Sequence, residues 1–160
     1  MNRILYTIPL FFLILLWPLS PAAQPRIRSF KDLDSLQRSD PRPLVIFIYT
    51  DWCIYCRAME ATTFSNKTVA AYLDRCFYFT KLDAGERSPI RFLNDTFSYR
   101  PTGVQTGEHE LAARLRHPEP AAYPALFFLS PGGEPWFRIT RFISAPDLIR
   151  LLGRLQSGQH

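Results

Sequence analysis

The amino-acid sequence predicts an α/β domain built on a mixed central sheet with helices on both faces. Three observations carry this. Leu44 to Tyr49 is an unbroken apolar run rich in β-branched and aromatic residues, the pattern of a strand buried on both faces, as parallel sheets require. Helix-compatible sequence follows, and a second run, Phe77 to Leu82, completes a strand–helix–strand unit of about 40 residues. Near the C-terminus, Ala125 to Leu129 and Trp136 to Phe142 flank Ser130-Pro131-Gly132-Gly133, which reads as a turn between antiparallel strands.

Composition bounds the rest. Of 160 residues, 47% are hydrophobic, 14% aromatic and 21% charged, enough to build a core without disulfides or metals. Disorder, collagen and a polytopic membrane protein are excluded. The net charge of +5 comes from 19 Lys and Arg against 14 Asp and Glu. The basic residues are scattered singly from Arg26 to Arg154, most with acids nearby, so no continuous stripe exists to follow a phosphate backbone and no nucleic-acid partner is expected. Three cysteines permit at most one internal bridge.

Taken in order, residues 1–22 read as a secretory signal: Arg3, the apolar run Ile4 to Trp17, then Ser20-Pro21-Ala22 at cleavage spacing. Fourteen helical residues rise only about 21 Å against a hydrocarbon layer of about 30 Å, and Pro9 and Pro18 weaken the helix. The rival reading is an uncleaved short membrane anchor. Either places the folded part outside the cytoplasm, and a bacterial periplasm fits. Residues 23–43 read as a linker, Ala23 to Arg28, followed by a helix capped by Ser29, with Phe30, Leu33 and Leu36 on one face, and stopped by Asp40-Pro41-Arg42-Pro43. The domain proper is expected over 44–157. After the first strand, Cys53 to Ala61 should be helix, then a second helix capped by Ser65 or Asn66 with Val69, Tyr72 and Leu73 at helical spacing. Ile90 to Tyr99 reads as a hairpin around Asn94-Asp95, Gly107 to Arg116 as a helix ended by Pro118 and Pro120, and Ala145 to Leu155 as the last helix.

The chemistry centres on Cys53-Ile54-Tyr55-Cys56, where the first strand hands over to a helix. Unpaired N–H groups and the macrodipole at a helix N-terminus favour an anion, so a thiol there ionises more readily and Cys53 becomes the attacking group. Cys56, one turn on, is within reach to resolve a mixed disulfide. Covalent haem attachment requires His after the second cysteine, where Arg57 stands. A zinc site needs four ligands, and the other candidates are Cys76, His109 and His117. A purely structural bridge over so short a loop constrains the unfolded chain little. Redox exchange is the reading these residues favour, with a redox-active disulfide in place of any cofactor and no metal.

Asp51-Trp52-Cys53-Ile54-Tyr55-Cys56-Arg57, followed by Met59-Glu60 and Thr63-Phe64-Ser65-Asn66, resembles thioredoxin-like proteins. It is especially similar to the C-terminal domain of the disulfide-interchange protein DsbD and to related exported single-domain reductases. Tyr123-Pro124-Ala125-Leu126-Phe127-Phe128 resembles the cis-proline segment that faces the cysteines in that family. Residues 137–151 resemble its last strand and helix, and the likeness covers most of 44–152. The resemblance implies a thioredoxin-like fold and a thiol:disulfide oxidoreductase that acts as a reductant. Its partners would be exported protein thiols and disulfides and a membrane or soluble electron donor. It also implies that Pro124 is cis, leaving the Tyr123 backbone free to pair with an extended substrate.

Two departures from the family stand out. Thioredoxins carry a buried Asp six residues before the first cysteine to assist proton transfer, and Phe47 occupies that position. By spacing, Glu60 and Lys81 are the candidate substitutes. The other departure is length: 40 residues separate Asp83 from Pro124, so an insertion is expected at about 85–106.

Other residues receive plainer readings. Trp52 and Tyr55 either pack or form an apolar collar around an exposed sulfur. Cys76 is expected as a buried inert thiol, Asp51 and Arg57 as solvated, and His109 and His117 as surface or local packing. Phe92, Phe97 and Tyr99 are expected to pack the insertion down. Two further functions fit the same residues: a thioredoxin-shaped protein-binding module, and delivery of copper or another soft metal by Cys53 and Cys56.

Overall fold

A strand with partners on both edges and helices against both faces lies at the centre of the fold. The computed structural model describes residues 23–156; the expected export segment and the far limit of the expected domain, residue 157, lie outside them. In chain order the elements are α1 (Phe30–Ser39), β1 (Leu44–Tyr49), α2 (Ile54–Ala58) continued by a π-turn segment (Met59–Thr63), α3 (Lys67–Cys76), β2 (Tyr78–Asp83), β3 (Ile90–Phe92), β4 (Asp95–Phe97), β5 (Tyr99–Pro101), β6 (Gly107–His109), α4 (Glu110–Arg116), β7 (Ala125–Leu129), β8 (Pro135–Ile139) and α5 (Ala145–Gln156).

Among the described residues the main sheet has four strands in the order β2-β1-β7-β8. β1 runs parallel to β2, Leu44 opposite Tyr78 and Tyr49 opposite Asp83, and antiparallel to β7, Leu44 opposite Leu129 and Ile48 opposite Ala125. β7 continues antiparallel into β8. The fold is thioredoxin-like: a mixed sheet between two helical layers.

The unbroken apolar run of β1 has a simple cause. Successive side chains of a strand point to opposite faces. Val45 and Phe47 pack with Phe79, Leu126 and Phe128 against α2, α3 and α5, through Cys56, Met59, Val69, Leu73, Leu148 and Leu152. Leu44, Ile46 and Ile48 pack on the other face with Tyr78, Leu82, Phe127 and Leu129 against Leu33 of α1 and Leu111 of α4. Burial of each large apolar side chain contributes about 1.5–3 kcal/mol before the entropy of ordering it is counted.

Several elements differ from their expected limits. The segment expected as a free linker is tied to the sheet: Ile27 forms a bridge beside Phe79, and the Arg28 N–H donates to the Phe79 carbonyl at 2.7 Å. The helix after Cys53 does not stop at Ala61. It widens into a π segment through Thr63, with the Phe64 N–H reaching Met59 O at 2.9 Å, and the buried Thr63 hydroxyl donates to Ile143 O at 2.7 Å. That tertiary bond has no local sequence signal.

Gly107 to His109 is a strand instead of the first turn of a helix, because it pairs with Tyr99–Pro101 in a second small hairpin; α4 begins only at Glu110. In the first hairpin, β3–β4, the turn is centred one residue earlier than expected, on Leu93-Asn94, both at positive φ. Gly133 also has positive φ, and a Cβ there would overlap the Leu93 side chain, so this turn requires glycine. β8 ends at Ile139, three residues short of Phe142. No helix among the described residues is long and apolar enough to cross a membrane.

Helix caps follow the sequence. The Ser29 hydroxyl accepts from Asp32 N–H, and the Asn66 side chain accepts from the N–H groups of Thr68 and Val69. Asn66→Ala is expected to cost about 1 kcal/mol, whereas Phe128→Ala, which empties a core position, is expected to cost about 3–5 kcal/mol. Urea denaturation would check both, and similar losses for the two would contradict this division between cap and core.

Candidate active site

The turn after β1 aims Cys53 into the start of α2. The Cys53 N–H donates to Thr50 O at 3.1 Å, and the Arg57 N–H donates to Cys53 O at 3.2 Å, so Cys53 is the residue at which strand becomes helix. Its sulfur accepts the Cys56 N–H at 3.0 Å and thereby caps the helix. Cys53 and Cys56 form a disulfide with Cα atoms 5.2 Å apart. Arg57 closes the turn, Nη1 donating to Asp51 O at 2.6 Å; both side chains are exposed, as expected.

Access to the sulfurs is restricted. Cys53 is 4% exposed and Cys56 1%, so of the two alternatives for Trp52 and Tyr55 the one that required an exposed sulfur is not met. Around Cys53, Trp52 and Tyr55 stand out, 73% and 59% exposed, and Ile54 projects beside them. The Tyr123–Pro124 peptide bond is cis, as is His117–Pro118. Tyr123 meets Trp52 edge-on with ring centroids 5.9 Å apart, which brings the Tyr123-Pro124 segment against the cysteine turn. Pro124 itself is buried.

Beneath the disulfide there is no carboxylate at position 47. Phe47 is fully buried, stacked on Tyr49 and set edge-on to Phe64 with centroids 4.9 Å apart, and Phe64 continues to Phe79. Glu60 and Lys81, far apart in the chain, do come together as an ion pair, with the Lys81 ammonium also 4.5 Å from the Tyr49 ring centroid. They line a groove of about 440 Å³ with Arg57, Phe64, Phe79 and the N-terminal residues Pro25 and Ile27. The charged pair therefore sits at the rim of the aromatic layer.

The remaining candidates separate. Cys76 is free and half-buried on the α3 face, more open than the expected buried thiol. His109 is fully buried at the end of β6, its Nδ1 accepting from Leu111 N–H at 3.3 Å and its Nε2 without a partner. His117 is exposed. Among the described residues no group of three or more His, Cys, Asp or Glu side chains is arranged to hold a metal ion. Phe92 is buried and meets Phe30 edge-on, while Phe97 and Tyr99 are partly covered, Tyr99 under the Arg87 guanidinium.

Sequence reasoning missed two residues at the site. The Tyr123 hydroxyl donates to Glu108 Oε1 at 2.9 Å, and Glu108 is paired with Arg116. Both lie in or beside the second small hairpin, whose strands have no hydrophobic alternation to announce them.

A family model described as a thioredoxin-like domain matches residues 30–156. The chain belongs to the thioredoxin-like family. It is 30% identical over 147 residues to the thiol:disulfide interchange protein DsbD of Yersinia enterocolitica, covering 85% of this chain and 22% of that protein. The chain thus spans about a fifth of the length of the curated relatives it matches. Among solved structures, a thioredoxin from Thermus thermophilus superposes with a TM-score of 0.59 at 18% identity, over 85% of this chain and 90% of that one. The oxidised C-terminal domain of Neisseria meningitidis DsbD gives 0.52 at 21% identity, over 78% and 90%. Both show the shared fold. The Cys53–Cys56 disulfide is the Cys-x-x-Cys pair of this thioredoxin-like family of disulfide oxidoreductases.

Electrostatics favour neutral tyrosines both at this thioredoxin-like site and on the opposite face of the sheet, where Tyr78 lies. Burial, first of all, raises the hydroxyl pKa of Tyr49, Tyr78 and Tyr123 above the ordinary 10, and at Tyr123 the Glu108 carboxylate raises it further. A raised folded-state value means stability that is full below pH 10 and lost as pH climbs through that value. Tyr123→Phe should therefore shrink the alkaline loss of stability that sets in above about pH 10, read from urea midpoints. An unchanged alkaline limb would show that Tyr123 does not carry it.

Proposed function

We propose that this chain is an exported thiol:disulfide oxidoreductase that passes electrons from a membrane or soluble donor to disulfides of other exported proteins. The observation that carries the reading is the Cys53 sulfur at a helix start, accepting the Cys56 N–H beside the Tyr123-Pro124 segment. An N–H pointed at sulfur and the helix dipole both favour the thiolate over the thiol. Export is supported by the Arg3, Ile4–Trp17 and Ser20-Pro21-Ala22 pattern. The reducing direction draws on the likeness to DsbD.

In the reduced protein, the Cys53 thiolate attacks one sulfur of a substrate disulfide. A Cys53–substrate disulfide forms, and the other substrate sulfur leaves as thiolate and takes a proton. Cys56 then gives up its proton and attacks the Cys53 sulfur, which expels the second substrate thiolate and closes the Cys53–Cys56 bond. Two electrons have moved to the substrate, and the donor restores both thiols. Trp52 and Tyr55 offer apolar contact area to the partner, and the backbone at Tyr123-Pro124 offers hydrogen bonds to an extended segment.

With Phe47 where family members carry an acid, the proton of Cys56 needs another acceptor. Glu60, one turn beyond Cys56 and paired with Lys81 at the mouth of a groove, is the proposed one.

Cys53→Ser should abolish reduction of insulin disulfides, and Cys56→Ser should accumulate a mixed disulfide on Cys53 that mass spectrometry can identify. Full insulin reduction by the Cys53→Ser protein would sink the reading. Equilibration with a glutathione series then measures the direction, a strongly oxidising pair being incompatible with a reductant.

A further inference from the structure

An incoming sulfur must reach a Cys53 that keeps only 4% of its surface open. On one side the approach is bounded by Tyr123, whose ring lies edge-on to Trp52 and packs on the cluster that contains both cysteines. An aromatic side chain on a loop changes rotamer within nanoseconds unless something holds it. Here the ring is held at its far end. The Tyr123 hydroxyl donates to Glu108 Oε1, and the same carboxylate receives a two-pronged contact from Arg116, Nε to Oε1 at 3.1 Å and Nη2 to Oε2 at 2.6 Å. Arg116 Nη1 also donates to Glu119 O at 2.6 Å, so one guanidinium ties the carboxylate to the connection leading into Tyr123.

These groups come from the segment between β2 and β7. Glu108 belongs to β6, in the hairpin that pairs Arg100 with Glu108, and Arg116 is the last residue of α4. The Glu108 and Arg116 side chains are 17% and 28% exposed, so solvent screens their pairing less than it would at an open surface. Burial and the neighbouring carboxylate keep the Tyr123 hydroxyl protonated and donating.

Given thiol exchange at Cys53, on which this rests, we propose that Glu108 and Arg116 are positioning residues that hold Tyr123 against Trp52 as a wall of the approach to the disulfide, favouring extended polypeptide thiols over small ones. A fixed Tyr123 presents its backbone in one orientation to a strand laid beside it, which a polypeptide uses and a small thiol does not. The same wall narrows the opening through which a small thiol must align with the sulfur–sulfur axis. Releasing the ring therefore has opposite effects on the two classes.

The experiment uses the full-length oxidised protein and two probes, dithiothreitol and a short extended peptide with a single cysteine. With the peptide, its thiolate attacks the Cys53 sulfur, the peptide–Cys53 disulfide forms, and Cys56 leaves as a thiolate that takes a proton; mass spectrometry follows the adduct. Tyr123→Phe keeps the ring and removes the donor. Glu108→Gln keeps an acceptor of the same shape and removes the charge that Arg116 holds. Both variants should speed reduction by dithiothreitol and slow adduct formation, so that the ratio of peptide to small-thiol rate constants falls about tenfold. Arg100→Ala, which breaks the ion pair between this hairpin and Glu110 at the start of α4, should leave that ratio unchanged.

If the two rates move together, or neither moves, in variants whose thermal unfolding shows them folded, the wall is overturned while exchange at Cys53 stands. If the unaltered protein reacts with neither probe, exchange itself fails.

Discussion

β1 has a strand on each edge and a helical layer on each face, and its six residues have nowhere else to go. Because alternate side chains are committed to opposite cores, a one-residue slip would exchange Val45 and Phe47 with Leu44 and Ile46 and mismatch both layers. That constraint fixes where the strand ends and where Cys53 emerges, at the first turn of α2. The disulfide inherits its position from packing far larger than itself. A sulfur that must meet a partner's sulfur along one line depends on such rigidity.

The aromatic layer beneath the cysteines has a second consequence. Phe47, Phe64 and Phe79 touch in series, so the space below Cys56 is apolar, and a carboxylate in that layer would lack partners. Charge appears instead at the edge, where Glu60 and Lys81 pair with water at hand and the lysine also lies over Tyr49. An ion pair so placed avoids most of the desolvation cost of an interior one.

The region between β2 and β7 shows how a peripheral segment is joined to the central sheet. Two small hairpins and α4 cover the face opposite the α2 helix. They are held by Phe92 against Phe30, by Leu111 in the α1-side core, and by the buried His109, whose N–H donates to Ala84 O at 2.8 Å. From that footing one carboxylate, Glu108, crosses to Tyr123. A single hydrogen bond thereby links a segment peripheral to the sheet with the residue that precedes the cis proline.

By itself the sequence determined the elements whose signals are local: the doubly buried run 44–49, the caps at Ser29 and Asn66, the strand at Ala125–Leu129 and the cysteine pair at a strand-to-helix junction. Each depends on neighbours a few residues away, through side-chain alternation, helical spacing or a polar group within one turn. Tertiary structure decided what depends on distant partners. The π segment ending at Thr63 is tied to Ile143, the 23–28 stretch is joined to Phe79, and Gly107–His109 is a strand only because Tyr99–Pro101 lies beside it. Spacing alone suggested Glu60 and Lys81, but it took the parallel pairing of β1 with β2 to set Lys81 by Tyr49 and the packing of the π segment to bring Glu60 to it. Glu108 and Arg116 had no signal at all, since a hydrogen bond across fifteen positions exists only once the fold has closed that distance.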